Sequence, residues 1–432
     1  MRTQSQHGIN VSDDKMMGSS AVRWIYTLSI ACLPFAIAQS SHWKRIPFTI
    51  LIATGIYLLC RMAAIRQQFH HARPILYAVL SFVLVATVNV AWHGDHYANL
   101  GLYPQTLLFL ATSAIFFLPV NRTTIWLAFS TTGAFYGSIA WYQIYVDGQP
   151  RAYGLNGGPW VAIEFGMFLF AIALLTLNQI LSASTARWAR LFHAICFAIT
   201  VYGGVLTESR GPILAFPVMA FVLCLLHFKQ MQGWQVAFRR ILFSCGLGFI
   251  VMIALQPLIL TRFFAIIDEV QSYNPEHNAS GAIRERIEMW RASLKAVQEH
   301  PLLGVGPNNF GRFIQEQVDQ GALNPSIRRY KHSHNEYLEV AATAGIPGLI
   351  TLLCLFVTSL RYFLKYSFHV DQERASVARS GVVLVGLYML CALSDNVFYR
   401  AMPHSLYFFL VLGFAMWLNA SHSFVLWQKS TS

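Results

Sequence analysis

Two histidines and three arginines carry most of what this sequence can do chemically. The histidines are His332 and His334, in KHSHNEYLEVAATAGIPG at residues 331 to 348. Ser333 and Glu336, followed by an apolar run, fit a capping box. That pattern predicts Ser333 as a helix N-cap and His334 in the first turn. A helix N-terminus carries partial positive charge and unpaired N–H groups. There it disfavours imidazolium and leaves His334 a nitrogen to accept a proton. The same N–H groups attract anions. A neutral base beside an anion-binding helix end suits a transfer reaction with a phosphate leaving group. An interfacial histidine that only helps a cap is the plainer alternative.

The arginines are more dispersed. In TESRGPILAF, Pro212 suits the first turn of a helix and Arg210 stands just before it, with Glu208 near. Arg151 lies in the glycine-rich DGQPRAYGLNGGP. Arg286 lies in RIEMWRASLKAVQE. A snorkelling or ion-paired arginine, or an ordinary loop cation, would account for each of these singly. Asp395 and Arg400 flank the end of another apolar run, where they can pair with each other or belong to a site. His93, Asp95 and His96 in HGDH are too few for a closed metal site, and no Asp-x-Asp occurs. No metal and no cofactor are expected.

The elements that position these groups are read from hydropathy. The chain has 432 residues, 55% hydrophobic and 12% charged. A soluble chain carries about 25% charge. Apolar runs of spanning length recur, which predicts an all-α polytopic membrane protein. About twelve spans are expected, near 24–40, 45–61, 75–93, 105–120, 123–146, 160–181, 189–207, 213–228, 241–260, 337–360, 381–398 and 406–420. The net charge of +12 fits topology and anionic lipid contact, with no sign of a nucleic-acid surface. The seven cysteines lie in or beside apolar runs, without a CxxC, and read as small buried hydrophobes.

Lys and Arg concentrate in alternate loops, including Arg61, Arg66, Arg73, Arg187, Arg190, Arg361, Arg374 and Arg379. The positive-inside rule puts those loops in the cytoplasm with both termini. The expected organisation is a cytoplasmic tail at 1–22, spans one to nine at 23–260, a large outer loop at 261–333, spans ten to twelve at 334–421, and a cytoplasmic tail at 422–432. The N-terminal tail does not resemble a cleavable signal peptide. Inside the outer loop, Ile283, Ile287, Trp290, Leu294 and Val297 fall on one helical stripe. Arg286 then sits at its edge, while Arg284, Arg291 and Lys295 turn to the polar face.

SRG at a span start, RIEMWRASLKAVQEHPLLGVGPNNF in a large outer loop, and HSHNEYLEVAATAGIPGL opening the next span occur in that order. Together, over roughly residues 200 to 360, they resemble the O-antigen ligase and polymerase superfamily. The resemblance implies a metal-independent, inverting glycosyltransferase in the inner membrane of a Gram-negative bacterium. Its donor would be a glycan on undecaprenyl pyrophosphate, at the periplasmic face. The acceptor would be lipid A–core for a ligase, a second repeat unit for a polymerase, or a protein hydroxyl in other relatives. It assigns pyrophosphate binding to Arg210 and to Arg286, four residues before Trp290, and the general base to His334. His332, Arg151 and Asn335 join them as donor- or substrate-binding residues. A transporter or flippase would instead carry its charges near mid-span.

Overall fold

In a lipid core every backbone N–H and C=O must be satisfied within its own segment, so the apolar runs fold as helices. The computed structural model describes residues 20–39, 45–94, 100–118, 120–155, 157–158, 161–229, 271–272 and 281–431. In chain order the helices are α1 (Ser20–Ile37), α2 (Arg45–Arg61), α3 (Ala63–Gln68), α4 (Arg73–Trp92), α5 (Tyr103–Ser113), α6 (Arg122–Tyr145) and α7 (Ala162–Leu181). There follow α8 (Arg187–Leu206), α9 (Arg210–Lys229), α10 (Ala282–Glu299), α11 (Phe310–Asp319), α12 (Glu336–Tyr366), α13 (Gln372–Cys391) and α14 (Ala401–Thr431).

Among the described residues, eight helices are long and apolar enough to cross a membrane: α1, α4 with the turn before it, α7, α8, α9, α12, α13 and α14. The chain is a multi-pass membrane protein. Two further apolar helices, Ile46–Arg61 and Tyr103–Phe117, are shorter. The expected span at 123–146 falls on α6, which has the length but carries Ser, Thr and Gln along it. The expected span at 241–260 lies outside the described residues, as do much of 261–280 and most of the N-terminal tail. The most deeply buried spans are α7, α13 and α14, which form the centre of the bundle.

Two expected spans differ from the observed helices. The run at 381–398 is shifted, since α13 starts at Gln372 and stops at Cys391. Asp371 caps it by accepting from the N–H groups of Glu373 and Arg374. Arg374 and Arg379 are therefore helical residues of the bundle rather than loop cations. Arg379 is only 2% exposed, donating from Nε to the Ser367 carbonyl (3.1 Å) and facing His227 Nδ1 (2.9 Å). Composition cannot separate a buried, hydrogen-bonded arginine from a wet one.

The expected span at 337–360 is α12, but it is broken at Gly345, whose φ is 68° and ψ is −171°. The segment Pro301–Gly306 fills the break. Val305 N–H donates to the Ala342 carbonyl (2.8 Å), Gly306 N–H to Thr343 (3.0 Å), and Ile346 N–H to Pro301 (2.8 Å). Broken backbone is tolerated in a spanning helix only where protein satisfies it in this way. A Cβ at Gly345 would run into the Leu302 carbonyl. Gly345→Ala is expected to lower the melting temperature and folded yield. It combines a backbone conformation essentially reserved for glycine, on the order of 1–3 kcal/mol, with that collision. Gly148→Ala is the control: its φ is also positive, at 65°, but a Cβ there meets nothing. Equal thermal stability of the two variants would show that the Pro301–Gly306 insertion is not needed to hold the break.

The stripe expected on α10 is rotated. Glu285, Glu288, Met289, Ala292, Ser293 and Ala296 are buried, whereas Leu294 is 52% exposed. Met289, Ala292 and Ala296 form a second small core with Phe310, Phe313 and Ile314 of α11 and Ala342 of α12. Small residues let α10 approach α12 closely, which outweighs placing the largest apolar side chains inward.

Candidate functional site

Four chain segments meet at one end of the bundle: the loop after α6, the α8–α9 turn, the start of α10, and the α13–α14 loop. The α8–α9 turn is tight, with Glu208 at φ 51°. Ser209 Oγ donates to the Ala162 carbonyl at the head of α7 (2.9 Å). Helix α9 opens at Arg210 itself, two residues earlier than Pro212 alone suggested. Gly211 follows because a Cβ there would overlap the Ser394 hydroxyl. The absent side chain lets the α13–α14 loop lie directly on the head of α9.

Arg151, Arg210 and Arg286 line one cavity of about 210 Å³, together with Glu208, Ser209, Gly211, Ile163, Ile283 and Ser394. Arg151 is braced from the backbone side: its Nε donates to the Thr207 carbonyl and its Nη2 to Ser209 Oγ, both at 3.1 Å. Arg284, two residues from Arg286, turns away to Ser272 Oγ (2.5 Å). Burial lowers the pKa of the Arg286 guanidinium; Asp395 opposes that and Arg210 adds to it. The group stays charged because arginine does not deprotonate in proteins. A cavity of this size with three guanidinium groups suits a phosphate-sized anion, since planar N–H forks match phosphoryl oxygens.

His334 is not where the capping box placed it. The N-cap of α12 is Asn335, whose Oδ1 accepts from Leu338 N–H (3.1 Å), and the helix begins at Glu336. Ser333 Oγ donates instead to the Asn335 carbonyl (2.8 Å). Glu339, one turn further on, does the reaching back by accepting from Ser333 N–H (2.7 Å). His334 stands before the cap with φ 51°, outside the first turn. A non-glycine residue in that region needs surrounding structure to hold it. The surrounding structure is the α13–α14 loop. Glu336 N–H donates to the Ala392 carbonyl (2.9 Å), Glu336 Oε2 accepts from Phe398 N–H (3.2 Å), and Asn335 Nδ2 donates to the Leu393 carbonyl (3.1 Å). With one hydrogen bond at each end of its amide, Asn335 ties the cap of α12 to the α13–α14 loop.

What this bracing aligns is His334 Nδ1 with Asp395 Oδ1, at 2.9 Å. Burial raises the Asp395 pKa, but the His334 hydrogen bond and charge, the Asn396 N–H and Arg286 together bring it below the ordinary carboxylate value. An ionised carboxylate only accepts, so Nδ1 carries the hydrogen and Nε2 is left to accept a proton. Asp395 thus pairs with His334 and not with Arg400, whose Nε faces Glu164 Oε1 at 3.3 Å. His332 is packed against His334, with ring centroids 4.5 Å apart. Burial first, then the nearby His334 and Arg400, push the His332 pKa down to about 4 against the opposing pull of Asp395. At neutral pH it is an uncharged ring beside His334.

Among the described residues, no group of three or more His, Cys, Asp or Glu is placed to hold a metal ion. His93 faces the Leu303 carbonyl (3.5 Å), while Asp95 and His96 lie outside the described residues. The arrangement therefore consists of a carboxylate-oriented imidazole and, beyond Ser394 and Asp395, an anion cavity. It can accept a proton from a hydroxyl and neutralise a leaving phosphate. Sequence reasoning named Asp395 but not its partner, and it missed the bracing by Glu336 and Glu339. The Glu339 contact had a signal, because a second acidic residue one turn beyond the first offers an alternative to the capping box.

The O-antigen ligase family matches residues 194–353. That range contains Arg210, Arg286 and His334, while Arg151 and Asp395 fall on either side of it. The chain is also 22% identical over 365 residues to an uncharacterized protein of Haemophilus influenzae, covering 81% of this chain and 89% of the relative. Residues 194–353, a little over a third of this membrane protein, are thus similar to the O-antigen ligase family.

Proposed function

We propose that the protein is an O-antigen ligase, transferring a glycan from undecaprenyl pyrophosphate to lipid A–core at the periplasmic face of the inner membrane. The observation that carries this is the His334–Asp395 pair beside a cavity lined by three arginines. In the reaction, an acceptor hydroxyl oxygen attacks the anomeric carbon while the bond from that carbon to pyrophosphate breaks. The hydroxyl proton goes to His334 Nε2, and the polyprenyl pyrophosphate leaves with its charge met by Arg210, Arg286 and Arg151. One displacement inverts the anomeric centre. The Lys/Arg asymmetry of the loops supports a periplasmic placement of this end.

Purified enzyme in vesicles, given lipid-linked glycan and offered lipid A–core and a second lipid-linked glycan in competition, tests the acceptor. Glycan on lipid A–core is the expected product. Elongated lipid-linked glycan would make it a polymerase instead, and transfer to neither would remove both readings.

Guanidinium groups supply the charge neutralisation that a divalent ion supplies in other transferases, so turnover is expected to be unchanged in excess EDTA. Loss of activity on chelation, restored by a single cation, would contradict this.

A further inference from the structure

A second surface runs from the base, distinct from the arginine cavity. The His332 ring lies 4.5 Å from His334, and Tyr399 stacks on His332 with centroids 5.1 Å apart and planes at 24°. The Arg400 guanidinium lies 5.4 Å from the Tyr399 ring. Tyr399 is nonetheless 45% exposed, and the Arg400 side chain 42%. Arg400 is steered by Glu164, whose side chain is only 12% exposed. That contact uses Nε, and among the described residues no partner is seen for the two Nη groups. None of His332, Glu164, Tyr399 or Arg400 lines the cavity of the three arginines.

An inverting displacement needs the nucleophile to arrive opposite the leaving group. The acceptor therefore cannot share the cavity that holds pyrophosphate, yet its hydroxyl must reach His334. We propose that Tyr399 and Arg400 form the seat of the acceptor: a sugar ring packs against Tyr399, and Arg400 binds an anionic substituent of that acceptor, such as a phosphate. Aromatic rings offer sugars an apolar face, and a guanidinium offers two parallel donors to a phosphoryl group. This rests on the reading of His334 as the base of a glycosyl transfer. The competing explanation for an exposed Tyr–Arg pair at a membrane end is an interfacial anchor, which would serve insertion and stability alone.

The test is steady-state transfer by the full-length protein in vesicles at saturating lipid-linked donor. The acceptor is varied, and is either a phosphorylated glycolipid or the same glycolipid after phosphatase treatment. Tyr399→Ala and Arg400→Gln are each expected to raise the acceptor KM about tenfold, the scale of one lost charge-assisted hydrogen bond or stacked ring, with donor KM unchanged. Tyr399→Phe, which keeps the ring, is expected to stay close to wild type. The Arg400→Gln effect is expected to vanish on the dephosphorylated acceptor. Unchanged acceptor KM in both variants, or equal losses toward donor and acceptor, would overturn the seat while leaving the transferase reading intact. Should wild type transfer to no acceptor, the transferase reading itself fails and this goes with it. If Tyr399→Ala does not fold, Arg400→Gln and its phosphate dependence decide the matter.

Discussion

His334→Ala is expected to lower single-turnover transfer by on the order of 10²-fold or more, the usual range for removing a general base, while binding of the lipid-linked donor persists. The arginines proposed to hold the pyrophosphate belong to α9, α10 and the loop after α6, on other elements than the imidazole. Asp395→Asn is expected to approach the same loss. An amide in place of the carboxylate can donate to Nδ1, which would move the ring proton to Nε2 and remove the acceptor nitrogen. His332→Ala should do less harm, since His332 is uncharged near neutrality and packs against the His334 ring. Single-turnover rates for the three variants, with donor binding measured separately, separate these roles. Near-normal turnover in His334→Ala with a dead His332→Ala would move the base to His332. Near-normal turnover in Asp395→Asn would mean the carboxylate does not set the tautomer.

Arg210→Ala and Arg286→Ala are expected to bring transfer close to background, a loss on the order of 10³-fold if each meets charge that develops on the leaving pyrophosphate. Lysine at either position should rescue poorly, because an ammonium is a point charge without the planar fork. The structure adds a control at Arg284, which points to Ser272 and not into the cavity. Arg284→Ala should retain most activity. Arg151→Ala should fall between, since Arg151 is already committed in part to Thr207 and Ser209. Donor binding by each variant, measured with a non-transferable lipid pyrophosphate, checks the assignment. Wild-type binding and turnover in Arg210→Ala would remove that arginine from the mechanism.

The sequence by itself determined the helical membrane architecture, because apolar runs of spanning length have no other stable form in lipid. It also singled out Arg210, Arg286 and His334, since each lies inside a contiguous motif of residue types suited to anions and protons. Helical angle put Arg286 at the edge of the expected stripe and Arg284 on the polar face, but the choice between them rested on the motif as well, and the face of α10 that packs inward is the one with Met289, Ala292 and Ala296.

Only the tertiary structure decided how His334 is held. Ser333 and Glu336 match a capping box locally, but Glu336 is drawn off by the N–H of Phe398, and Asn335 takes the cap. The partner of His334 lies 61 residues further along the chain, and the contacts that brace Arg151 lie 56 and 58 residues away. Such pairings leave no periodic trace in either segment. Local patterns report the competition among neighbours for backbone hydrogen bonds, and here a carboxylate and an amide from distant loops won that competition. The result moves His334 out of the first helical turn and places it on a carboxylate, so that the base role proposed for it rests on a different physical cause.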